Sequence, residues 1–98
     1  MMFENINKGI EEYRNTADAI LLDVREPDEF AKGHIPGAVN LPLSQIQSCS
    51  YSASAPIFVY CHSGSRSMKA AGVLKNMGFE NVKNIGGIMR YKGEIEKE

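Results

Sequence analysis

Six consecutive residues, Cys61, His62, Ser63, Gly64, Ser65 and Arg66, combine a nucleophile with groups that favour negative charge. They lie between an apolar run, "IFVY" at 57–60, and a helical pattern beginning near residue 67. Gly64 relaxes the steric limits on the backbone, so the loop can curl with its N–H groups pointing inward, around the sulfur. The following helix adds unpaired amides and the positive end of its dipole. A free thiol, with a pKa of about 8.5, is mostly protonated at pH 7, and thiols at helix N-termini are far more acidic. Cys61 therefore reads as a catalytic thiolate. The loop residues His62, Ser63, Gly64, Ser65 and Arg66 read as its substrate- or anion-binding cradle. Arg66 offers a planar fork suited to sulfonate, phosphate or carboxylate oxygens. His62 follows the nucleophile, but a thiolate held by amides needs no base, so this side chain is assigned to the mouth of the loop.

Such a loop needs a strand to end at the cysteine and a helix to start at the arginine. The short apolar runs "AILLDV", "AVN", "IFVY" and "VKNI" suit strands of a parallel sheet. Helical patterns alternate with them. Ile6, Ile10 and Tyr13 recur on one helical face up to "RNTAD". A short helix opens at Pro27 and closes at Gly33, another lies near "LSQIQ", a third covers 67–77 before Gly78, and a fourth is expected over 89–97. Alternating strands and helices predict an α/β fold with helices on both faces of a mostly parallel sheet. The crevice of such a sheet lies beyond the carboxyl ends of its strands, where both "DVR" and "CHSGSR" fall.

Asp23 and Arg25 leave their strand two positions apart and share a face, which predicts an ion pair that approaches and steadies the cysteine loop. His34, before the Pro36-Gly37 turn, is expected to be locked by backbone hydrogen bonds. The two cysteines and two histidines lack zinc-ligand spacing, so no metal is expected. Cys49 reads as a loop thiol or as a second thiol that resolves a Cys61 intermediate into a disulfide.

The chain has 98 residues, 43% hydrophobic and 23% charged, with a formal net charge of −1. Those values suit one globular domain, 1–98, with a shallow site at the edge of its core. Scattered Lys and Arg give no basic stripe for nucleic acid. The start lacks the basic and apolar regions of a signal peptide, and "AILL" is too short to span a bilayer, so no membrane partner and a cytoplasmic location are expected. Composition does not fix the oligomeric state.

The stretches "LLDVREPDEFAKGHIPGAVNLPL" and "VYCHSGSRSMKAAGVLKNMGFENVKNIGGI" resemble single-domain rhodaneses, which are sulfurtransferases. The resemblance implies a five-stranded parallel sheet with helices on both sides, and a persulfide carried on Cys61. It also implies transfer from thiosulfate to cyanide as the assay reaction, with a thiol or a partner protein's cysteine as a physiological acceptor. No organic cofactor is required. A non-enzymatic sulfur carrier is the alternative, followed by a small phosphatase or arsenate reductase. Those last enzymes share the architecture but carry five residues between cysteine and arginine, whereas this chain has four, a loop better fitted to one sulfur atom. Tyr91 stands where many rhodaneses have tryptophan, and "SQIQSCSYSASAP" is short with an extra cysteine.

Overall fold

The computed structural model describes residues 5–98. Asn5 caps the first helix, α1 (Ile6–Arg14), its side chain accepting the Asn7 and Lys8 amides. Ile6 and Ile10 fall on one face of α1 and are buried there. Next come β1 (Ile20–Asp23), α2 (Pro27–Lys32), β2 (Val39–Asn40) and a 3-10 turn at Leu43–Ser48. They are followed by β3 (Pro56–Cys61), α3 (Ser65–Asn76), β4 (Asn81–Gly87) and a second 3-10 turn at Ile88–Arg90.

The strands are parallel throughout, in the order β2-β1-β3-β4. Alternation along each strand sorts the core into two layers. Leu22, Val24, Ile57, Val59 and Cys61 pack with Ala70 and Leu74 of α3, while Leu21, Phe58, Tyr60 and Ile85 pack with Ile6 and Ile10 of α1. Helices therefore cover both faces, as the alternating pattern requires. α3 ends where Gly78, at φ +105°, takes a conformation that other residues rarely adopt. Its amide bonds the Lys75 carbonyl, and the Phe79 amide bonds that of Leu74, so the last turn of the helix is satisfied from within the chain.

Two expectations change. Four strands form among the described residues instead of five, and they are the four apolar runs of the sequence. Residues 89–97 form no helix. After the 3-10 turn the backbone runs extended, and Glu96 makes an antiparallel bridge with His34, with N···O distances of 2.8 and 2.9 Å. Gly93 disfavours a helix there, and the end of α2 offers the tail better partners. Cys49 lies in a loop as expected: it follows the 3-10 turn, its amide donates to the Ile46 carbonyl, and its side chain is buried in the layer beneath α3. Among the described residues no helix is long and apolar enough to cross a membrane.

Candidate active site

Cys61 is the last residue of β3, and the pleat turns it toward α3 with no exposed surface. The chain then has to reverse from strand to helix within three residues. Gly64 allows this at φ +107°, immediately before α3. Its N–H consequently points back at the Cys61 Sγ, 3.0 Å away. The Ser67 hydroxyl, in the first turn of α3, lies 3.4 Å from the same sulfur.

That hydroxyl has one proton and three acceptors within reach. Besides the sulfur, they are the Asn84 Oδ1 at 2.7 Å and the Gly64 carbonyl at 3.0 Å. With a neutral thiol the shorter contacts compete best. A thiolate draws the proton to itself, because a hydrogen bond to a charged acceptor is the stronger one. Burial pushes the Cys61 thiol up, but the Ser67 hydroxyl and the amides of Ser67, Gly64 and Ser63 outweigh it and leave the pKa below its ordinary value.

β4 shapes the loop from the side. A bulge between Val59 and Tyr60 of β3 brings Asn84 and Gly86 opposite consecutive β3 residues, with Gly86 at φ +104°. Within the bulge Asn84 Oδ1 accepts the Gly86 amide at 3.0 Å, and its Nδ2 donates to the Gly64 carbonyl at 3.3 Å. Gly87 lies so close that any Cβ there would run into the His62 carbonyl and Ser63 Cα. The His62 carbonyl also accepts the Met89 amide at 3.1 Å, whereas the side chains of His62 and Ser65 are exposed at the rim.

Arg66 does not stand free. Its two terminal nitrogens grip the Glu29 carboxylate of α2 at 2.7 and 3.0 Å, and the pair is about two-thirds buried, with side-chain exposures of 35% and 32%. Glu29 is held in turn by the Glu26 amide, 2.9 Å away. The Arg66 fork pulls the Glu29 carboxyl down to about 2, against the opposing effect of burial. The charge on Arg66 is favoured by Glu29 first, and the Cys61 and Asp23 charges add to it.

Asp23 and Arg25 do pair, with Arg25 Nη2 at 2.7 Å and Nε at 3.0 Å from the carboxylate, and both are buried. Their position differs from expectation. Strand alternation puts Asp23 on the α1 face with Leu21, opposite Cys61, and the Arg25 guanidinium sits 5.9 Å above the Tyr60 ring. Arg25 Nη2 spends its remaining bond on the Gly33 carbonyl at 2.7 Å, at the end of α2. No hydrogen bond from the pair reaches residues 61–66 among the described residues; the pair touches the end of α2 at Gly33 and the ring of Tyr60, which precedes Cys61. His34 is locked as expected: Nδ1 lies 2.9 Å from the Phe30 carbonyl, and the ring stacks on Phe30 with centroids 3.7 Å apart.

Sequence reasoning overlooked Glu29, Ser67, Asn84 and Gly87. Glu29 carried a signal as a helix-capping glutamate two residues after Pro27, but nothing in its spacing pointed to Arg66. Among the described residues no three His, Cys, Asp or Glu side chains converge on a point that would suit a metal ion. A cleft of about 540 Å³ opens at the amino ends of β3 and β4, lined by Pro56, Asn81 and Lys83, at the opposite end of those strands from Cys61.

The model of the rhodanese-like domain family matches residues 7–94. A putative mitochondrial thiosulfate sulfurtransferase of Schizosaccharomyces pombe is 40% identical over 91 residues, covering 76% of this chain and 64% of the relative. A putative sulfur carrier protein of Bacillus subtilis, YrkF, is 39% identical over 79 residues, covering 78% and 43% respectively. The chain thus spans less than two thirds of either relative. Among solved structures, a rhodanese with anions from Escherichia coli superposes with a TM-score of 0.75 at 28% identity, covering 82% of this chain and 99% of that one.

Proposed function

We propose that this chain, which belongs to the rhodanese-like domain family, moves sulfane sulfur through a persulfide on Cys61. The convergence of the Gly64 amide and the Ser67 hydroxyl on the Cys61 sulfur carries this reading. The thiolate attacks the outer sulfur of a donor such as thiosulfate, the bond between the two donor sulfurs breaks, and sulfite leaves with the electron pair. A nucleophile, whether cyanide, a thiol or a partner protein's cysteine, then attacks the outer sulfur of the persulfide and restores the thiolate. In the first step negative charge stays beside the Gly64 and Ser63 amides as it passes to the outer sulfur, so the donors that favour the thiolate also favour the persulfide anion. No step calls for a metal or organic cofactor.

A carrier role, in which the persulfide serves one partner with little turnover, is the second reading. The likeness to a putative sulfur carrier and the complete burial of Cys61 both favour it. The phosphatase and arsenate-reductase reading loses support, because Arg66 is committed to Glu29 and the loop has only four residues between Cys61 and Arg66. Intact mass after thiosulfate treatment tests the proposal. One added sulfur, removed again by cyanide, is expected; a mass that does not change with thiosulfate or with a small persulfide would overturn it. Thiocyanate turnover then separates enzyme from carrier.

A further inference from the structure

Arg66 carries the cationic fork nearest the cysteine loop in sequence, and its two terminal nitrogens are already occupied. Its partner Glu29 is seated on α2, where it also accepts the Glu26 amide. A dianion arriving at the loop therefore meets a neutralised pair in place of a free cation. To use the fork it has to displace a carboxylate already seated in bidentate geometry. A donor with little charge loses nothing by this arrangement, since the backbone amides and Ser67 serve the sulfur itself.

We propose that Glu29 is a donor-selecting residue, which withholds Arg66 from dianionic donors and tunes the Cys61 loop toward persulfides of low charge. This rests on the sulfurtransferase reading and specifies its substrate class. In the favoured reaction the Cys61 thiolate attacks the outer sulfur of a persulfide RS–SH, that S–S bond breaks, and RS⁻ departs with the electron pair, leaving the sulfur and its proton on Cys61.

The test is Glu29→Gln, which keeps the size of the side chain and its acceptor for the Glu26 amide but removes the charge. Loading rates are measured with thiosulfate and with the persulfide of 2-mercaptoethanol. Freeing Arg66 should raise the ratio of thiosulfate to persulfide rates about tenfold, the scale of one uncompensated charge acting on a dianion a few ångströms away through water. The gain should appear in KM for thiosulfate and fade with added salt. Arg66→Ala leaves Glu29 uncompensated and should be the poorest user of thiosulfate, with the double variant Glu29→Gln/Arg66→Ala partly recovering. A merely structural pair predicts the reverse order, the double variant being no better than Arg66→Ala. An unchanged or lowered donor ratio in folded Glu29→Gln would overturn the inference alone. Failure of the unmodified protein to load from either donor would overturn the sulfurtransferase reading and take this inference with it.

Discussion

Cys49 and Cys61 are both free, both buried and both part of the apolar layer beneath α3, yet their acidities move in opposite directions. Burial alone acts on Cys49 and raises its pKa above the ordinary thiol value. The same burial acts on Cys61 and is overcome by a hydroxyl and three amides. Burying a thiol is therefore not what makes it inert. What matters is whether the surrounding backbone has donors left to give. The amide of Cys49 goes to the Ile46 carbonyl in closing a 3-10 turn, while at Cys61 a strand stops and a helix has not yet begun, so amides remain to turn inward.

The sharpest way to break this contrast is to remove each thiol in turn. Cys61→Ser should abolish sulfur loading, measured by intact mass, while Cys49→Ser should load normally. Loading that survives in the first variant and fails in the second would exchange their roles. A smaller effect is expected from Ser67→Ala, which removes the only side-chain donor to the sulfur among the described residues. Loading should slow by about 10- to 150-fold, the scale of a lost hydrogen bond to a charged group of about 1.5–3 kcal/mol. The Cys61 thiol should also become less acidic, which a merely destabilising change would not produce.

Acidity itself orders the pair. In the unmodified protein, pH-dependent alkylation followed by peptide mapping should find Cys61 reacting with a midpoint below that of an ordinary thiol and Cys49 above it. Stability follows with opposite signs. The depressed Cys61 pKa contributes stability that is full above the ordinary thiol pKa and lost as pH falls through the folded value. The raised Cys49 pKa contributes stability that is full below the ordinary thiol pKa and lost as pH rises through its own. Equal midpoints would erase the distinction drawn here. Smallest of all, Cys49→Ala should cost about 1 kcal/mol in denaturant unfolding, as an ordinary core truncation does, with thiocyanate turnover per folded molecule unchanged.

β1 and β3 were legible as short apolar runs, β2 and β4 less so because Asn40, Asn81, Lys83 and Asn84 interrupt theirs, and the cysteine loop because glycine, serine and a following helix announce a tight reversal with spare amides. Pro27 and Gly33 marked α2 for equally local reasons. Partners distant in sequence were not legible. Glu29 meets Arg66, and Asn84 meets Ser67, only after separate elements are stacked. Asp23 and Arg25 show an intermediate case: their spacing predicted the pair, but which face of β1 it occupies depended on the register of the whole sheet. The helix expected over 89–97 failed for a similar reason, since its pattern could not reveal that the His34 backbone would claim Glu96.

The close approach of Gly87 to the His62 carbonyl has a consequence for the order of folding. Cys61 leaves the ribosome well before β4, yet the bulged end of that strand is one wall of the mould that sets the cysteine loop. Until that long-range pairing closes, the loop has its local donors, the Gly64 amide and the Ser67 hydroxyl, but lacks the β4 wall. The wall that Gly87 supplies therefore joins the loop only through a contact distant in sequence, after β4 has paired with β3.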